Sequence, residues 1–110
     1  MAVHVQIDSV EPVDRGNHTV WPLLSAKHGL TAGATAMAAN YTDTEFVITG
    51  THDDQEIFYV LEGTGTALIG EEEIEIGPGS CFLVPPHTVH GIKRDASCDG
   101  VKAVFVHAAP

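Results

Sequence analysis

The residues best equipped for chemistry lie in two short segments. In Gly50-Thr51-His52-Asp53-Asp54-Gln55-Glu56 a histidine and a carboxylate stand four residues apart at the edge of a predicted strand, and in Pro85-Pro86-His87-Thr88-Val89-His90-Gly91 a second histidine opens another. Imidazole nitrogens and carboxylate oxygens both donate to divalent cations, so His52, Glu56 and His90 form a ligand set if the fold closes the two segments onto one point. Taken singly, each histidine is more often an exposed or hydrogen-bonded residue than a ligand, and spacing alone leaves both readings open. Thiol chemistry has less support. Cys81 sits in the apolar run Cys81-Phe82-Leu83-Val84, where a small buried hydrophobe explains it, and with Cys98 as the second cysteine there is no disulfide scaffold.

Rigid elements must hold such a set, and the chain supplies strands. From Ala34 onward, runs rich in Val, Ile, Thr, Phe and Tyr alternate with turn signals, which is the pattern of a sandwich or barrel. The predicted strands are Ala34–Ala39, Glu45–Thr49, Ile57–Leu61, Thr66–Ile69, Glu73–Ile76, Cys81–Val84, Val89–Lys93 and Val101–His107. Gly63-Thr64-Gly65, Gly70-Glu71-Glu72 and Gly77-Pro78-Gly79 turn between neighbouring runs. In Glu73-Ile74-Glu75-Ile76 the strict alternation places the isoleucines on a buried face and the glutamates in water. The first thirty residues are less regular. They allow a strand at Val3–Val10 and a helical turn at Ser25–His28, with Pro12 and Pro22 as breakers, and are expected to cover or extend the barrel. The reading is one all-β domain over residues 1–110, with 34–107 as the barrel core.

Gly50–Gly63 and Gly79–Arg94 resemble, in order, the two motifs of the cupin family, and the chain is similar to the small single-domain, conserved-barrel members of that family. In the first motif His52 matches the second histidine, Glu56 the glutamate and Gly63 the closing glycine, with Tyr59-Val60-Leu61-Glu62-Gly63 as the familiar strand and turn. In the second, Gly79, Pro85 and His90 fall at the expected spacing, with His87 where a glycine is usual. The resemblance implies a jelly-roll barrel, a double-stranded β-helix, holding one divalent ion on His52, Glu56 and His90. Two departures matter. Gly50 occupies the position of the family's first histidine and has no side chain to donate, leaving a two-histidine, one-carboxylate set that suits Fe(II), with Mn, Ni, Co and Zn as alternatives. Arg94 stands where asparagine is frequent. Strand alternation gives it the face of His90 and Ile92, so its guanidinium is expected to orient an anionic substrate group unless it is merely solvated at the strand end.

Composition narrows the partners. Fifteen acidic residues against five basic ones give a net charge of −10, which opposes binding to nucleic acid or anionic membranes, although a charge of this size also serves solubility alone. Met1–Val10 lacks the apolar stretch of a signal peptide and no run approaches the roughly 18 apolar residues of a membrane span, so a cytoplasmic protein is expected. The glycines do not satisfy a dinucleotide or phosphate-loop pattern. Two functions follow from the resemblance. One is a metal-dependent enzyme acting on a small oxygen-rich or anionic molecule, with dioxygenase-type chemistry slightly favoured over isomerase or lyase chemistry. The other is a noncatalytic module that binds a sugar or other small ligand. The resemblance further suggests a homodimer.

Overall fold

Alternation of apolar and polar residues commits the chain to strands with one buried face, and β4 shows the pattern most clearly. Its residues Glu56, Phe58 and Val60 point inward while Ile57, Tyr59 and Leu61 point outward. A computed structural model describes residues 2–46, 48 and 51–110. Among these the strands are β1 (Val13–Asp14), β2 (His18–Leu24), β3 (Thr35–Tyr41), β4 (Gln55–Glu62), β5 (Gly65–Ile69), β6 (Glu72–Ile76), β7 (Cys81–Val84), β8 (His90–Arg94) and β9 (Val101–Ala108). They form a six-stranded sheet in the order β1-β2-β3-β9-β4-β7 and a three-stranded sheet in the order β6-β5-β8. Every pairing is antiparallel, giving the all-β jelly-roll architecture.

The core lies between the sheets. Phe58, Val60, Val84, Val101 and Phe105 come from the larger sheet, and Ala67, Ile76 and Ile92 from the smaller. Phe58, Val60, Val84 and Val101 are essentially inaccessible. Burial of each contributes about 1.5–3 kcal/mol relative to exposure. Backbone bonds close the ends: the Arg94 N–H donates to the Asp43 carbonyl at 3.0 Å and the Asp95 N–H to that of Thr64 at 2.9 Å.

Three segments differ from the sequence reading. Val3–Val10 holds a 3₁₀ turn at Ile7–Ser9 rather than a strand. Glu45, Phe46 and Ile48 of the expected strand Glu45–Thr49 belong to none, while Val47 and Thr49 lie outside the described residues, as does Gly50. In the opposite direction, β2 runs through Pro22, which pairs with Met37 beside a register shift. Its other neighbour, β1, pairs no further than Val20, so β2 is an edge on that side at Pro22, a position where proline is tolerated. The expected turn at Ser25–His28 is a 3₁₀ turn over Ala26–His28. No helix among the described residues is long and apolar enough to cross a membrane.

Candidate metal centre

The inward phase of β4 carries Glu56 into the barrel, opposite Val84 on β7 and His107 on β9. Directly opposed residues share a sheet face, so His107 is brought beside Glu56 although 51 positions separate them in sequence. His52 precedes β4, and its carbonyl accepts the His87 N–H at 2.8 Å, a bond that ties the two chemistry-bearing segments together. His90 opens β8 opposite Ile69. These elements bring His52, Glu56 and His90 together as the sequence suggested, with donor atoms all within 4.8 Å of one another.

The nitrogen geometry is specific. His52 Nε2 lies 2.9 Å and His90 Nε2 3.2 Å from Glu56 Oε1, and His107 Nε2 lies 3.5 Å from Oε2. The opposite ring nitrogens all have acceptors: His90 Nδ1 on the Thr88 carbonyl at 3.0 Å, His52 Nδ1 on the Asp54 carbonyl at 3.2 Å, and His107 Nδ1 on Asp54 Oδ2 at 2.9 Å. Placing a hydrogen on each Nδ1 satisfies these bonds and leaves three Nε2 lone pairs directed at a carboxylate. Glu56 is 4% exposed, the one buried carboxylate among the described residues. A buried anion faced by lone pairs is unfavourable unless a proton or a cation sits among them. Two donors about 2.1 Å from one ion lie about 3.0 Å apart at a right angle and about 3.4 Å apart at the tetrahedral angle. The separations of 2.9 and 3.2 Å from Oε1 to the nitrogens of His52 and His90 are close to those edges, so these three residues fit a divalent ion.

Titration follows from these contacts. The hydrogen bond from His90 to Glu56 raises the imidazole's pKa against the opposing effect of burial. Partial burial disfavours the Asp54 carboxylate, but hydrogen bonds and charge from His107 and His52 outweigh it and hold its pKa below the ordinary value. His18 moves down, chiefly through burial and then through the Arg15 charge. Burial, followed by the Glu56 charge, drives the Tyr41 hydroxyl far upward.

The site opens on a cavity of about 470 Å³ whose wall includes Arg15, Asn17 and His18 as polar groups and Val20, Met37 and Phe82 as apolar ones. His18 stacks on Tyr41 with ring centroids 4.7 Å apart, and its Nδ1 meets Asn17 Oδ1 at 2.7 Å. Arg94 is absent from this wall. Its Nε donates to the Thr42 carbonyl at 2.7 Å and its Nη1 to the carbonyls of Cys98 at 2.7 Å and Asp95 at 3.3 Å. Alternation along β8 gives Arg94 the phase of His90 and Ile92, but four residues of strand span about 13 Å, which takes Arg94 to the far end of the barrel. The guanidinium in the wall belongs instead to Arg15, which no local sequence signal marks. Of the other histidines, His87 is exposed and lies 3.5 Å from Asp53, and His28 bonds the Ser25 N–H at 3.1 Å. His87 has φ of 60°, the left-handed conformation that explains why glycine suits its position.

Comparison with known proteins agrees with this fold. A family model described as "Cupin domain" matches residues 45–107. An uncharacterized protein of Methanocaldococcus jannaschii is 35% identical over 43 residues, 39% of this chain and 34% of that protein, so the match spans about a third of the relative's length. Among solved structures, the polyketide cyclase RemF of Streptomyces resistomycificus is similar with a TM-score of 0.81 at 18% identity, over 100% of this chain and 81% of that one. An RmlC-like cupin of Shewanella frigidimarina gives 0.79 at 19%, over 100% and 93%. An FeII form of HppE gives 0.82 at 14%, over 96% and 60%. At these identities the structural likeness establishes the fold alone.

Proposed function

Since the chain belongs to the cupin family, we propose that it is a metal-dependent enzyme in which His52, Glu56 and His90 hold one divalent ion and a small oxygen-rich or anionic molecule meets that ion in the cavity. The observation that carries this reading is the convergence of imidazole Nε2 atoms on the buried Glu56 while every Nδ1 is engaged elsewhere. Fe(II) is the favoured ion, ahead of Mn, Ni, Co and Zn, because two imidazoles and one carboxylate leave positions open for substrate and oxygen. The existence of an FeII form of the structurally similar HppE supports the choice. The ion, when bound, would supply Lewis acidity and a site for oxygen, and this favours dioxygenase-type chemistry slightly over isomerase or lyase chemistry.

The protein's own groups would do the rest. Arg15 places a permanent positive charge in the cavity wall, suited to a carboxylate or phosphate of the substrate. Val20, Met37 and Phe82 exclude water from the reacting end and strengthen that attraction. His18, with its pKa lowered, is held neutral near pH 7 by burial and by Arg15, and offers a hydrogen-bonding ring on the same wall.

Gly50 favours a second reading. With one ligand of the family's motif missing, the barrel would be a noncatalytic binder of a sugar or other small molecule. The test begins with elemental analysis of untagged protein purified without chelators. We expect about one ion per chain in the wild type and a loss of at least tenfold in His90→Ala and Glu56→Ala. Folded wild type that neither retains nor takes up a divalent ion would decide for the binder, as would a loaded protein that saturably binds molecules from a broad substrate panel and converts none.

A further inference from the structure

We infer that His107, oriented by Asp54, supplies a fourth ligand to the same ion, in place of the side chain that Gly50 lacks. The inference rests on the metal-centre reading and extends it to two residues outside the three-ligand set. His107 lies on β9 directly across from Glu56, and its ring centroid is 4.9 Å from that of His52. Its Nε2 approaches Glu56 Oε2 at 3.5 Å, whereas His52 and His90 approach Oε1. The ring therefore reaches the carboxylate from the side that the other two leave free. Asp54 stands behind both neighbours, with Oδ2 on His107 Nδ1 at 2.9 Å and Oδ1 2.6 Å from His52 Nδ1. Donor atoms of His52, Asp54 and His107 also lie within 4.8 Å of one another, so one carboxylate holds a pair of adjacent rings. A carboxylate behind an imidazole fixes its tautomer and raises the basicity of the far nitrogen, the arrangement found behind metal-bound histidines.

The competing role for His107 is that of a hydrogen-bond donor to Glu56 Oε2, a role that needs protons on both ring nitrogens and leaves the ion with three protein ligands. Cobalt(II) distinguishes them, because its visible bands report ligand number and type and its affinity can be read against a chromophoric chelator. Wild type, His107→Gly, His107→Gln, Asp54→Asn and His90→Ala would be loaded with Co(II) alone, after circular dichroism confirms the fold of each. We expect His107→Gly to bind Co(II) at least tenfold more weakly with shifted bands, and millimolar imidazole to restore both. His107→Gln should shift the bands in the same way, which keeps the test intact should the glycine variant not fold. Asp54→Asn should weaken binding by about tenfold with a smaller band shift that imidazole does not reverse. Wild-type bands and affinity in either folded His107 variant would overturn the fourth ligand while loss of binding in His90→Ala upheld the three-ligand site. Folded wild type that binds no Co(II) would sink both.

Discussion

Arg94, which the motif marks, lies outside the cavity wall, and Arg15, which no local signal marks, lies in it. Arg94 sits in a motif and on the right strand face, yet its guanidinium is spent on three backbone carbonyls, those of Thr42, Asp95 and Cys98. These acceptors belong to loops at the barrel end remote from Glu56, so the side chain pins loops together. Hydrogen bonds from a charged donor contribute more than neutral ones, but partial exposure discounts them here. We expect Arg94→Ala to lower unfolding stability by about 1–2 kcal/mol, measured by urea denaturation, and to leave metal content unchanged. Loss of metal without loss of stability would return Arg94 to the site. Glu56 makes the opposite case. It is buried to 4% exposure, with nitrogens of three imidazoles within 3.5 Å of its oxygens.

At the level of strands, local pattern was a reliable guide where one face is buried and failed where pairing partners decide. β5, β6, β7 and β9 lie within a residue of their expected bounds because β-branched runs and period-2 alternation are local signals. β2 escaped notice because Pro22 reads as a breaker, whereas in the fold it lies beyond the end of β1 and beside a register shift, where proline is tolerated. The motif spacing likewise revealed His52, Glu56 and His90, while His107 enters the site through the pairing of β4 with β9, which no spacing along the chain encodes. Glycine positions were legible as turns, but their unequal importance was not. Gly63, between β4 and β5, has φ of +83°, and a Cβ there would strike the carbonyl oxygen of Gly100. Gly16 has φ of +91° with open space around it. Gly16→Ala should therefore cost about 1 kcal/mol from backbone strain alone, and Gly63→Ala at least about 2 kcal/mol, because the turn must also move away from the Gly100 backbone. Equal denaturation midpoints for the two variants would show that the close approach at Gly63 relaxes freely.

For the whole molecule, the outer face of the six-stranded sheet poses a problem that the barrel does not solve by itself. Ile57, Tyr59, Leu61, Leu83 and Val106 point away from the core, each between 41% and 51% exposed. Ile57 lies opposite both Leu83 and Val106, so these side chains form a continuous surface across β7, β4 and β9. β4 is thus apolar on both faces below Glu56, the pattern of a strand covered on both sides. A second copy of the chain can cover this surface symmetrically, and we expect a two-fold homodimer that buries about 800 Å² on each partner. Each chain carries a net charge of −10, so pairing brings like charges together around an uncharged contact. Salt screens that repulsion and strengthens apolar burial, so the dimer should tighten as ionic strength rises, the reverse of what an interface built on opposite charges would do. Sedimentation equilibrium across a salt series should show this trend in the wild type. Leu83→Asp, which introduces a charge on the β7 flank of the patch beside Ile57, should shift the protein to a monomer while leaving the metal content of the barrel intact. A wild type that sediments as a monomer at every salt concentration would remove the dimer, and a Leu83→Asp variant that still pairs would move the interface to another face.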